Sequence, residues 1–166
     1  MTDGEQDSRF TEAQAHRHFG VAFNGLTWEL LSKERRVSDE DERMLHAAHA
    51  SYLHWIHAGN EAHRSRAAWL LSRVYAVLGD SARCTQYADE TWRLCAEHAH
   101  VMKDWDHAYA AEARARAFAI AGDVDAAREA YATARKLARE VADDEDRKLV
   151  LSDLASQPWG AFRPEG

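Results

Sequence analysis

What most constrains this chain is an absence. Its two prolines, Pro158 and Pro164, both fall within the last nine positions, so 157 residues run without one. Proline removes an amide donor and clashes with the preceding turn. A long stretch that avoids it, rich in Ala, Leu, Arg and Glu, is free to be helical throughout. Something other than proline must then divide the helices. Three times a glycine is followed at once by Asn or Asp: Gly59-Asn60, Gly79-Asp80 and Gly122-Asp123. Glycine suits the left-handed position that closes a helix, and Asp or Asn suits the N-cap that opens the next. Each dipeptide therefore reads as a tight connection between antiparallel helices.

Around these connections the sequence predicts about seven helices, near 11–35, 39–58, 61–78, 81–98, 104–121, 124–142 and 144–155. Ser38, followed by Asp39, Glu40 and Asp41, supplies a capping hydroxyl and an acidic first turn. Asp104 is placed to cap the fifth helix. In the first helix Phe19, Ala22, Phe23, Leu26 and Leu30 follow the spacing of a buried stripe. The third, from Ala67 to Leu78, is apolar on nearly every face, which predicts neighbours on several sides. One domain spans 11–156, preceded by a flexible N-terminus at 1–10. After Ser156 periodicity stops, and 157–166 reads as an extended tail whose Trp159 could cap the stack or dock on a partner.

Composition narrows the classes. With 21 Lys and Arg against 28 Asp and Glu, the net charge is −7, which argues against sequence-independent nucleic-acid binding. No apolar run approaches the ~18 residues of a membrane span. The N-terminal MTDGEQDSR is acidic and polar, unlike a signal or transit peptide. Cys84 and Cys95 lie eleven residues apart on one predicted helix, about 16 Å along its axis, too far for a disulfide. These features together predict a cytoplasmic protein with reduced thiols.

Two segments align with each other. Superposing Gly79-Asp80 on Gly122-Asp123 matches Tyr75 with Phe118, four residues before each glycine, and Cys84 with Ala127, five after. Ala127, Tyr131 and Ala134 continue the second unit. This pattern of an aromatic, Gly-Asp and a small residue resembles the tetratricopeptide repeat, over about residues 62–142. Two departures stand out: Ala88 replaces a large aromatic in the first unit, and neither unit carries the family's terminal proline. The offset of 43 also exceeds the family's usual unit. The resemblance implies an all-α, right-handed stack of antiparallel helix pairs, a TPR-like α-solenoid, in which the first helix of each pair lines a concave groove. It places Arg66, Trp69 and Arg73, and then Tyr109, Glu112 and Arg116, on that groove.

The residues alone single out the same surface. Arg66, Trp69 and Arg73 fall on one face of the third helix, and Trp105, Tyr109, Glu112 and Arg116 on one face of the fifth. Arginine and aromatic side chains are frequent anchors of binding surfaces. The expectation is a non-enzymatic binding module, needing no cofactor, whose groove of helices one, three and five takes an acidic or C-terminal peptide segment, or a small anionic ligand, from a partner. In the alternative, Glu112 ties the arginines into an interhelical salt-bridge set.

A second candidate is histidine. Glu42, His46 and His49 are spaced along one flank of the second helix as metal ligands would be, with His107 on the fifth. A metal-binding helical protein or metal-dependent enzyme is therefore the runner-up, although neither Glu-x-x-His pairs nor His-Glu-x-x-His occurs. Cys84 and Cys95 read as packed thiols, and Trp28, Trp55, Trp69, Trp92 and Trp105 largely as interhelical filler. A homo-oligomer that buries exposed aromatics is a third possibility.

Overall fold

The computed structural model describes residues 10–164, and over these the chain is helical with no strand. Seven α-helices follow in order: α1 (Glu12–Leu31), α2 (Ser38–Ala58), α3 (Glu61–Leu78), α4 (Ser81–Glu97), α5 (Asp104–Ala121), α6 (Val124–Glu140) and α7 (Asp144–Ala155). A 3-10 turn, Ala99–Val101, links α4 to α5. The helices pair as α1 with α2, α3 with α4 and α5 with α6. The pairs then stack through α2 against α3 and α4 against α5, with α3 also touching α5 and α7 lying on α5 and α6. The fold is an all-α, solenoid-like stack of helix pairs, as the punctuation predicts.

The two Gly-Asp turns are structural copies. Gly79 and Gly122 are left-handed, with φ of 76° and 87°. At each, the glycine N–H bonds the carbonyl three residues back at 3.2 Å and the aspartate N–H bonds the one five back at 3.0 Å. This is the paired closure of a Schellman motif. Asp80 then caps α4 through the Arg83 N–H at 3.0 Å, and Asp123 caps α6 through the Ala126 N–H at 3.1 Å. Gly59 differs: its φ is −103°, so it is not a left-handed closure. What excludes a side chain there is space, since a Cβ would sit 2.7 Å from the His63 Cβ and 2.8 Å from the Trp55 carbonyl.

Several boundaries move from their sequence positions for local reasons. Helix α1 stops at Leu31, because the Arg36 guanidinium folds back to the Leu30 carbonyl at 3.3 Å and to Asp41 at 2.6 Å. Helix α2 begins at Ser38 itself. The orphan N–H of Val37 is taken by the Glu40 carboxylate at 3.0 Å, so the acidic turn rather than the serine hydroxyl does the capping. At α5 the carboxylate of Asp106 takes the Lys103 N–H. Asp104 reaches across to the Ala142 N–H at 2.8 Å, which helps end α6 at Glu140.

Helix α3 is enclosed as expected, with Ala67 to Ala76 buried without a break. The stripe expected on α1 is buried only towards its end: Leu30 is buried and Leu26 packs on the core, but Phe19 is 44% exposed and Ala22 also faces out, while Gly20 and Thr27 complete the buried face. Small Gly20 lets α2 approach so closely that Ser51 bonds the Gly20 carbonyl at 2.8 Å. The C-terminal segment is also not a loose extension. Trp159 is fully buried and Phe162 nearly so, both set edge-on to Tyr131 at 5.1 and 5.6 Å between ring centres. Residues 157–164 thus form a strap that covers the open side of the α5–α6 pair. No helix among the described residues is long and apolar enough to cross a membrane.

Candidate ligand-binding cleft

The two sequence-predicted faces meet. Trp69 and Tyr109 pack with ring centres 4.4 Å apart, and the Trp69 indole N–H donates to Glu112 at 2.7 Å. Trp28 from α1 lies 5.7 Å from Trp69, and Trp105 stands edge-on to Tyr109 at 6.1 Å. Together they line a cleft of about 330 Å³ between α1, α3, α5 and α7. Four of the predicted residues, Arg66, Trp69, Trp105 and Tyr109, line it directly.

The arginines do not hang in this cleft as free cations. Arg66 forms a two-pronged pair with Asp106 at 2.8 and 2.9 Å, and its guanidinium lies 4.2 Å over the Trp105 ring. Arg116 is 0% exposed and Glu112 only 1%. The Arg116 guanidinium bonds Glu112 at 2.5 and 2.7 Å and the carbonyls of Asp153, Ser156 and Pro158, and it sits 4.0 Å over Trp159. Arg73, also buried, reaches Glu112 at 3.4 Å and the Ser156 hydroxyl. Arg73 and Arg116 are the same position in the two repeat units, 43 residues apart, and one carboxylate serves both. A buried guanidinium without partners would be prohibitively costly, so these bonds are conditions of the fold. The expectation that Arg73 and Arg116 grip an anion is corrected on this ground: their donors are spent inside the protein. The salt-bridge alternative describes them.

Asp153 of α7 completes the balance. It accepts the Tyr109 hydroxyl at 2.7 Å. Burial raises its carboxyl above the ordinary range, against the opposing pull of that hydrogen bond and of Arg73. The Tyr109 hydroxyl is in turn pushed up by burial and by Asp153 beside it. Three arginines (66, 73, 116) accompany three carboxylates (Asp106, Glu112, Asp153), so the network that walls the cleft has no surplus charge. Its polar handles include the Asp153 carboxylate and the Asn24 amide, which lines the cleft from α1. Leu149, 59% exposed, stands at the mouth.

Sequence reasoning missed Asn24, Asp106, Leu149 and Asp153. The last two lie on α7, whose position over α5 depends on packing far along the chain. Asp106 carried a signal, as an acid in the first turn of α5 on the side of Trp105 and Tyr109. The histidine candidate does not assemble. Glu42 and His46 touch at 3.6 Å on an exposed surface, His49 turns to the Tyr75 hydroxyl at 2.8 Å, and His107 lies apart against Cys95 and Leu137. Among the described residues no three His, Cys, Asp or Glu side chains converge to hold a metal ion. The histidines that do meet are others: His16 of α1 contacts His54 at 2.9 Å and stacks on His57 of α2 at 4.6 Å. Both thiols are buried and unpaired, and burial raises Cys84 to about 11, which removes nucleophilic character at neutral pH.

No protein-family model, curated protein or solved structure matches the chain.

Proposed function

We propose that this protein is a non-enzymatic, cytoplasmic binding module of tetratricopeptide type, and that the cleft of Trp28, Trp69, Trp105 and Tyr109 is where it holds its ligand. The carrying observation is the pairing of an aromatic cleft with a charge-neutral wall. A space of about 330 Å³ is within the usual size of small-ligand sites. It is lined mostly by carbon and held rigid by the Glu112 and Asp153 hydrogen bonds. The support for the repeat type is the duplicated turn geometry at Gly79 and Gly122.

Such a cleft selects an apolar body bearing one hydrogen-bond donor. An aromatic or branched side chain of a peptide, or a small molecule of that size, would bury its ring against Trp69 and Trp105 and donate to Asp153 or Asn24. An acidic group would meet Asp153 and find no free guanidinium to answer it, so the ligand class moves from anionic to neutral. Titration with indole, p-cresol and phenylacetate, followed by the indole N–H resonances in ¹⁵N NMR, tests this. Indole and p-cresol should shift Trp28, Trp69 and Trp105 together, phenylacetate should act more weakly, and Leu149→Glu at the mouth should suppress all shifts without loss of fold. Unmoved cleft resonances, or shifts that survive Leu149→Glu, would remove the proposal.

A further inference from the structure

A second concavity, with none of its lining residues shared with the cleft, has the reverse chemistry. The exposed face of α6 and the C-terminal strap form a groove of about 530 Å³. Five of its lining side chains are cations (Arg128, Arg135, Lys136, Arg139 and Arg163) and one, Glu140, is a carboxylate. Tyr131 and Phe162 make its floor. This cluster is set in a chain of net charge −7. A concavity in which cations outnumber carboxylates five to one raises the local concentration of an opposite-sign partner.

The disposition of the charges identifies the partner. Arg128 is held only by an exposed pair with Asp125, its neighbour on the same helix. Arg163 is exposed and donates from Nη1 to the Gly160 and Phe162 carbonyls, which carry no formal charge. Lys136 and Arg139 are exposed on α6. Arg128 and Arg139 are eleven residues apart, so the cations form a line about 16 Å long. A lone phosphate would need them to converge on a point. A line of that length matches about five residues of extended peptide. A nucleic acid fits less well. A polyphosphate longer than this line would run onto the acidic remainder of the molecule, whose net charge is −7.

We infer that the α6–strap groove is a docking site for an extended acidic peptide segment, with one apolar side chain seated on Tyr131 and Phe162 and carboxylates paired to Lys136, Arg139 and Arg163. The site is independent of the aromatic cleft and needs nothing bound there.

The test uses the full chain and three fluorescein-labelled probes read by anisotropy: an octapeptide of alternating Asp and Glu with one central Phe, the same peptide with Asn and Gln replacing the acids, and a dodecamer of uridylate. The acidic peptide should bind, and should weaken steeply as salt is raised from 50 to about 300 mM. The amide peptide should bind about tenfold more weakly or worse. Lys136→Glu combined with Arg139→Glu should abolish binding, and Arg163→Gln alone should weaken it by a few fold. These residues are exposed, and an unchanged melting temperature shows that each variant is folded; Lys136→Gln with Arg139→Gln gives a milder version of the same loss. Leu149→Glu at the cleft should leave the acidic peptide's affinity unchanged. Failure of the acidic peptide to bind, equal binding by the charge-reversed variant, or tighter binding of the uridylate would overturn the inference.

Discussion

Glu112 is the residue on which the interior turns. Its carboxylate accepts the Trp69 indole and the guanidinium groups of Arg73 and Arg116, and it has almost no contact with water. Two like charges on one buried anion are stable only while that anion is present. Glu112→Gln should therefore cost about 3 kcal/mol or more, because it leaves two cations facing an uncharged amide. Arg116→Met should cost a similar amount, through the loss of Glu112's partner and of the bonds to the Asp153, Ser156 and Pro158 carbonyls. The double variant should cost less than the sum by at least about 1 kcal/mol, since each change removes the other's reason for strain. Urea unfolding of the three variants checks this, and strictly additive costs would show that the charges are not coupled. Glu112 and both arginines could be located from their spacing along α3 and α5. That they satisfy each other was one of two readings the spacing left open, because the choice between an open groove and a closed network was made by Asp153, Ser156 and Pro158, far along the chain.

At the scale of elements, α1 and α2 are joined by a histidine seam. His54 meets His16 at 2.9 Å, with His57 stacked on His16. The His54 imidazole is held below its ordinary value by burial first, then by the nearby His16 and His57. His49 is lowered by burial and then by Arg83 and His46, and His63 by burial and then by Arg66 and Arg17, with Asp106 opposing. A histidine with a depressed folded pKa binds fewer protons folded than unfolded, so its contribution is complete above its ordinary value of about 6.5 and is lost as pH falls through the lower folded value. The melting temperature should thus be level near pH 8 and fall as the pH drops below about 6.5. His54→Gln should flatten part of that fall, and a profile identical to the parent's would show that the seam does not titrate in this way. The seam also shows how legibility varied. The helices themselves were readable, since glycine and acidic caps act within a few residues. The buried face of α1 was readable only in part: Leu26 and Leu30 of the expected stripe reach the core, but small Gly20 and Thr27, rather than Phe19 and Ala22, face inward earlier in the helix.

For the molecule as a whole, the strap is the feature with most leverage. Gly160 is left-handed, with φ of 53°, and a Cβ there would lie 2.5 Å from the Ala119 carbonyl oxygen. At Gly79 the backbone is also left-handed, but a Cβ would meet nothing within 4 Å. Gly79→Ala should therefore cost only the ~1 kcal/mol of the backbone conformation. Gly160→Ala adds a collision with main chain and should cost clearly more. It should also release Trp159 from Arg116, which the Trp159 indole N–H resonance would report. Equal melting temperatures for the two variants would mean that the strap does not bear on α5 in the way described. The sequence marked this segment by its missing helical period and by Trp159, one of whose two readings, a cap on the stack, matches its burial. Nothing within residues 157–164 says that Trp159 lies across a guanidinium contributed 43 positions earlier.

The position of that strap also decides how such a molecule can change over longer times. Stacked helix pairs ordinarily lengthen by duplication, because each new pair finds the exposed side of the last one ready to receive it. Here the side of α5 and α6 that a further pair would need is already occupied by Trp159, Phe162 and α7. A copied unit inserted after Glu140 would arrive at a surface with no vacancy, and would have to displace the residues that neutralise and cover Arg116. Growth beyond α6 is consequently opposed by α7 and the strap, and variation is left to the walls of the cleft and the outer face of α6.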